Sequence, residues 1–276
     1  DTATLTTLLY SGGRGEAADP TSIGLPRQTR TLYPITLTAP ERARYESAWT
    51  AFQSARDTAL GRDRTGSYWD PPNGLVAALR DVQKASLVKV PHVAAVIADH
   101  VEAGYQVVAP TWWADTAADL ATAVARELIA REQPGLVTAV TGDTPPADRD
   151  ARIRAFQSGV ASVIITTITQ AINLHAGEAG GGVGGTDATT TPRVTIVMDV
   201  LTGGKRAYQA EGRAQRDGEV AQTLYTVAEN TTETRWLAAV FTAMANTRAL
   251  STPTDADTYD INSLTALTAL LETMQQ

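Results

Sequence analysis

The chain has 276 residues, with 30 Asp and Glu against 23 Lys and Arg and a formal net charge of −7 at neutral pH. With 43% hydrophobic residues it can bury a full core, enough for one large domain or two small ones. The absence of cysteine removes disulfide scaffolds, zinc fingers, iron–sulfur ligation and thiol nucleophiles, and the acidic balance argues against coating nucleic acid by bulk charge while leaving room for a local basic face.

Residues 1–30 are polar and glycine-rich, and Ser11-Gly12-Gly13-Arg14-Gly15 reads as loop. Leu32 to Thr38 is strand-like. Thr38, with Glu41 three residues on, then opens a helix that runs to about Leu60. A loop from Gly61 to Asn73 follows, then amphipathic helical stretches near Gly74–Ala85 and Val90–Ala103, the second closed by Gly104. From there short apolar strands alternate with helices. Strands are expected over Gln106–Pro110, Leu136–Val140, Ala161–Thr166, Arg193–Val200 and Gln222–Val227. Helices are expected over Ala114–Arg131, Pro145–Gln157, Lys205–Arg216 and Glu233–Ala249, with a terminal helix in Asp260–Gln276. That alternation predicts an α/β fold, a parallel sheet with helices on both faces, preceded by a helical segment. The expected divisions are a helical preface and lobe start over 1–103, the α/β lobe over 104–249, and a carboxy-terminal helix over 250–276.

The glycine-rich segment Gly177 to Asp187 reads as a flexible surface loop, because it lacks the Lys and Ser/Thr of a phosphate-binding loop. No such loop is found elsewhere in the sequence. His92, His100 and His175 are far apart, so no metal site is expected from them, and His175 reads as a structural histidine. No apolar run approaches about 18 residues, so no membrane partner is expected. The chain opens on Asp1 with no signal-peptide pattern; the expectation is a cytoplasmic segment, processed or cut from something longer. Arginine outnumbers lysine 20 to 3 and alanine reaches 46, which suggests a GC-rich coding sequence and a bacterial or phage source.

The most informative run is Gln209-Ala210-Glu211-Gly212-Arg213-Ala214-Gln215-Arg216. Arginines three apart on a helix share a face, Gln209 lies near it, and Gly212 permits a phosphate or backbone to come close. Guanidinium forks suit phosphoryl oxygens. A solvated helix with ordinary Arg–Glu pairs has the same pattern.

The run Q-A-x-G-R-A-x-R-x-G resembles the sixth motif of superfamily-two helicases, in the form carried by Swi/Snf-type translocases and strawberry-notch-type relatives. Other pieces resembling that family's second motor lobe follow in order: Thr38 to Tyr45 at the lobe start; Gly142, Arg149 and Phe156; Ile164-Ile165-Thr166-Thr167 with Ala171-Ile172-Asn173-Leu174; Asp199, ten residues before Gln209; and Thr223 to Glu233. The chain departs from the family at Thr169-Gln170-Ala171-Ile172, where a glycine-rich stretch is usual, and at Gln215, where histidine is common.

The resemblance implies a carboxy-terminal RecA-like lobe of an ATP-dependent DNA helicase or translocase. It implies that Arg213 and Arg216 are the catalytic arginine fingers and that Gln209, Gly212 and Asn173 contact ATP. Thr111, Trp112, Gly142, Thr166 and Thr167 would then face nucleic acid, duplex or single-stranded. Trp112 and Trp113 also read as core aromatics closing a strand end. The resemblance further implies that the phosphate loop and the Mg2+ ligands lie on an absent amino-terminal RecA-like lobe, so this chain alone would be a poor ATPase. The rival expectation is a non-catalytic α/β module that keeps the lobe's fold to bind protein or nucleic acid.

Overall fold

The computed structural model describes residues 29–62, 83–167, 174, 191–199, 207, 210–211, 222–251 and 268–269. In chain order these form β1 (Thr29–Ile35), α1 (Ala39–Arg62), α2 (Val90–Glu102), β2 (Gln106–Thr111), α3 (Ala114–Ala130), β3 (Leu136–Val140), α4 (Pro146–Gln157), β4 (Ala161–Thr167), β5 (Arg193–Val197), β6 (Gln222–Ala228) and α5 (Thr232–Ser251). Residues 83–87 add a helical turn ahead of α2. The strands make one sheet in the order β1-β6-β5-β2-β4-β3, and every described pairing is parallel.

Strand residues are apolar on both sides because both faces are covered. Val107, Ala109, Val163, Ile165, Val194 and Ile196 join a core with Tyr45 and Ala48 of α1, Val93 and Ile97 of α2, and Leu120 and Val124 of α3. Their strand neighbours point the other way. Val108 and Ile164 meet Phe156 of α4, while Val197, Tyr225 and Val227 meet Ala207, Ala210, Leu237 and Phe241. Over the ends of β1 and β6, the rings of Trp49 and Phe52 from α1 meet Trp236 from α5, with Trp49 and Trp236 centroids 5.0 Å apart.

The two faces follow from handedness. Crossovers between parallel strands are right-handed, so the direction of travel across the sheet decides which face receives the helix. The moves from β1 to β2 and from β2 to β3 share a direction, and α1, α2 and α3 share a face. The moves from β3 to β4 and from β5 to β6 run back, and α4 and the buried residues Ala207 and Ala210 lie on the other face. Neighbouring strands β2 and β5 therefore send their chains in opposite directions. A crevice opens at their carboxyl ends, where open α/β sheets place ligands.

Among the described residues expected and observed elements agree in type, with corrections at the boundaries; the loops expected in 1–30 and Gly61–Asn73 and the helix expected near Gly74–Ala85 lie largely outside them. The first strand starts earlier, at Thr29, because Thr29 to Thr31 pair with Gln222 to Leu224 of β6. It stops at Ile35, which frees Thr38 to end α1: Glu41 accepts from the Thr38 backbone N–H at 2.8 Å and its hydroxyl at 2.7 Å. β1, from the segment expected as helical preface and lobe start, is the edge strand of the sheet. Pro34 sits in that edge strand, where a missing N–H is tolerated. The strand expected over Arg193–Val200 ends at Val197, because the Met198 carbonyl and the Asp199 side chain are engaged elsewhere. The helices expected at Lys205–Arg216 and Asp260–Gln276 lie largely outside the described residues, as does the Gly177–Asp187 loop.

Two helix ends show why glycine is wanted there. After α2, Gly104 at φ +87° donates to Val101 O and Tyr105 donates to His100 O, a Schellman ending. After α3 the same bonds are made by Glu132, at φ +55°, to Ile129 O and by Gln133 to Leu128 O. Glutamate is strained in that conformation and glycine is not. The substitution Glu132→Gly is expected to raise the unfolding free energy by about 0.5–1 kcal/mol in urea denaturation; an unchanged or lowered midpoint would contradict the assignment.

Candidate functional site

The carboxyl ends of β3, β4, β2 and β5 lie side by side along one edge of the sheet. Thr111 closes β2 opposite Thr167 of β4, and Thr166 stands between Val140 of β3 and Pro110 of β2. Gly142 follows β3 in an exposed turn, which Thr144 fastens by accepting the Thr141 N–H at 2.9 Å. The sequence-expected residues Thr111, Trp112, Gly142, Thr166 and Thr167 thus share this edge. Gln209, Gly212, Arg213, Arg216 and Asn173 lie outside the described residues; within that run Ala207, Ala210 and Glu211 are helical and buried.

The threonines differ in state. Thr111 donates its hydroxyl to Trp113 O at 3.3 Å. The hydroxyls of Thr166 and Thr167 are buried without a hydrogen-bond partner. Trp112 is half-buried, packed on the cluster that holds Ala207 and Ala210, with its ring 6.5 Å from that of Trp113.

The crevice between β2 and β5 is bridged by one carboxylate. Asp199 accepts the Trp112 backbone N–H on Oδ2 at 2.6 Å and the Ser86 hydroxyl on Oδ1. Beside it, the wholly buried Lys89 ammonium donates to Met198 O at 2.5 Å, Thr226 O at 3.3 Å and Glu233 Oε2 at 2.9 Å. Its three protons meet acceptors after β5, on β6 and on α5. Glu233 also accepts the Ala228 N–H at 3.0 Å, which fastens the start of α5 to the end of β6. A cavity of about 20 Å3 borders Ser86, Trp113, Asp199 and Glu233, room for roughly one water.

Burial pushes the Asp199 carboxyl above the usual carboxylate range, against the opposing pull of the Ser86 hydroxyl, the Trp112 N–H and the Lys89 charge. Burial pushes Glu233 up in the same way, with the Lys89 charge opposing. Lys89 and Ser86 escaped the sequence reading. The available signal was a lysine flanked by apolar residues in Leu87-Val88-Lys89-Val90, in a chain with only 3 lysines. Both carboxylates are occupied by protein donors. Among the described residues no group of three or more His, Cys, Asp or Glu could hold a metal ion. Among the same residues no helix is long and apolar enough to cross a membrane.

Solved structures share this fold. The carboxy-terminal part of the Fun30 ATPase domain matches with a TM-score of 0.51 at 11% identity, over 90% of this chain and 99% of that one. The SWI2/SNF2 ATPase core of Sulfolobus solfataricus in complex with dsDNA matches at 0.52 and 14% identity, over 87% of this chain and 50% of that one. The same core domain, in a structure described without DNA, matches at 0.50 and 16% identity, over 79% and 44%. This chain has a RecA-like α/β fold. It spans about half the length of the Sulfolobus cores. No family model matches the sequence, and no curated protein matches it.

Two consequences for the lobe can be measured. Replacing Lys89 with Met leaves Glu233 buried without its cation, and is expected to cost about 3–5 kcal/mol in denaturant unfolding; a loss below about 1 kcal/mol would show that the network is not closed in solution. The second is a pH dependence. With Asp199 raised in the folded state, the native chain binds more protons than the unfolded one between the ordinary carboxylate value and the raised one. Stability then falls as pH rises through that window. The unfolding free energy of the wild type minus that of Asp199→Asn is expected to decrease with rising pH. An increase would mean that the Ser86 and Trp112 hydrogen bonds, with the Lys89 charge, outweigh burial at the carboxyl.

Proposed function

We propose that the chain is the carboxy-terminal motor lobe of an ATP-driven DNA translocase or helicase, with ATP held in the cleft between it and an amino-terminal RecA-like lobe. The observation that carries this reading is the gathering of Thr111, Trp112, Gly142, Thr166 and Thr167 along one sheet edge beside the β2–β5 crevice, in a fold shared with SWI2/SNF2 ATPase cores. One of those cores was solved on dsDNA, so duplex DNA is the first ligand to test.

On this reading the exposed Gly142 turn admits the phosphate backbone, and the end of β4 meets it through main-chain N–H groups, because the Thr166 and Thr167 side chains are buried. Contacts of that kind are sequence-independent and weaken with salt. Arg213 and Arg216 stabilise the charge that develops on the transferring γ-phosphoryl, while Gln209, Gly212 and Asn173 approach the nucleotide. The phosphate loop and the residues that hold Mg2+ belong to the partner lobe. Opening and closing of the cleft moves one lobe against the other along DNA.

The test uses the longer protein that carries both lobes. Arg216→Ala is expected to lower DNA-stimulated ATP turnover by at least about 10³-fold with nucleotide binding retained, the scale of an arginine finger. Unchanged turnover would refute the finger assignment. These 276 residues alone are expected to hydrolyse ATP barely above background, and robust turnover by them would refute a site shared between lobes. A two-lobed protein that hydrolyses no ATP with or without DNA would favour the non-catalytic module.

A further inference from the structure

Glu211 sits inside the arginine-bearing run, two residues before Arg213 and five before Arg216. Its carboxylate is fully shielded from solvent and receives three hydrogen bonds. Arg30 of β1 donates Nε to Oε1 at 2.7 Å and Nη2 to Oε2 at 2.7 Å, and its side chain is equally shielded. Tyr225 of β6 donates its hydroxyl to Oε1 at 2.6 Å, and its ring is held edge-on by Phe241 of α5 at 4.9 Å.

A buried ion pair is weak evidence for stability, because apolar residues of similar volume often serve as well. What apolar residues do not supply is direction. A bidentate guanidinium–carboxylate pair fixes both the distance and the rotation of the group it holds. Ala207 and Ala210 also pack in the cluster against the sheet, but methyl contacts fix no rotation.

We infer that Glu211, gripped by Arg30 and Tyr225, is a positioning residue that sets the rotation and reach of the segment carrying Arg213 and Arg216. The inference rests on the motor-lobe reading above. It also gives the edge strand β1 a task in the ATP site, although Arg30 and Glu211 stand 181 residues apart in sequence.

The experiment compares three variants of the two-lobed protein. Arg30→Met with Glu211→Met removes both charges and keeps the volume; kcat for DNA-stimulated hydrolysis is expected to fall roughly 10- to 100-fold with KM for ATP unchanged, the scale of a small misplacement of catalytic groups. Tyr225→Phe deletes one oxygen, leaves the apolar packing intact, and is expected to lower kcat by roughly threefold. Arg216→Ala is the reference. If Arg216→Ala loses turnover while both other variants keep it, the inference fails and the motor-lobe reading stands. If Arg216→Ala also keeps turnover, the reading fails and takes the inference with it. In the 276-residue chain, amide exchange of Tyr225→Phe is expected to speed up over 205–219 and not over β2 or β4. Exchange that rises equally in all three would overturn the positioning role in favour of a general loss of stability.

Discussion

Where neighbouring parallel strands send their chains in opposite directions, the main-chain groups just past their ends have no ladder to join. The β2–β5 boundary is such a place, and one carboxylate closes it. Asp199 leaves β5 and accepts the N–H of Trp112 as the chain leaves β2, and it accepts the Ser86 hydroxyl ahead of α2. Without that acceptor the Trp112 N–H would lose its partner beside a buried acid, a cost larger than the hydrogen bond's own contribution. The geometry of the edge therefore depends on Asp199 more than on any apolar contact beneath it.

The same place concentrates charge. Two buried carboxylates, Asp199 and Glu233, face one buried ammonium, Lys89. Such a cluster is tolerable only because nearly every lone pair and proton is used, and Lys89 spends its three protons on three separate elements. Apolar packing could hold α2, β5, β6 and α5 together, yet it would accept many relative orientations. The polar cluster accepts one. That is a reason for so costly an arrangement to sit beneath an edge whose job, on the proposed reading, is to hold ligand-facing turns in register.

Legibility in the sequence followed the range of the cause. Val107-Val108-Ala109 and Val163-Ile164-Ile165 announce buried strands because the apolar run is local, and Thr38 with Glu41 announces a helix start because both halves of the cap lie within four residues. The parallel pairing of β1 with β6 has no local mark; Thr29 meets Gln222 across most of the chain. For the same reason the first strand could be recognised as a strand but not placed in the sheet. Lys89 and Glu211 were opaque for another reason. Sequence patterning assigns charged residues to the surface, and these two are buried, Lys89 among partners more than a hundred residues away and Glu211 between Arg30, 181 residues away, and Tyr225. Thr111, Trp112, Gly142, Thr166 and Thr167 could be named from the resemblance, but their sharing of an edge became visible only with the strand order.

That distribution of charge bears on the acidic net charge. Arg30, Lys89 and Arg193 are all buried, and each ties segments distant in sequence. Arg193 bonds Gln106 and the carbonyls of Gln157 and Leu174 while its guanidinium lies 5.2 Å from the Phe156 ring centroid. In a chain without cysteine, these cations serve as directional cross-links, so part of the positive charge faces the interior rather than a partner. A net charge of −7 is then no measure of what the edge could bind, because on the proposed reading phosphate meets turn N–H groups and a few arginines rather than bulk charge. The place of a basic substitution therefore matters more than its charge. An arginine added on the exposed face of α3 raises the charge without moving the edge, whereas a change at Asp199 leaves most of the charge in place and removes the acceptor that fixes Trp112.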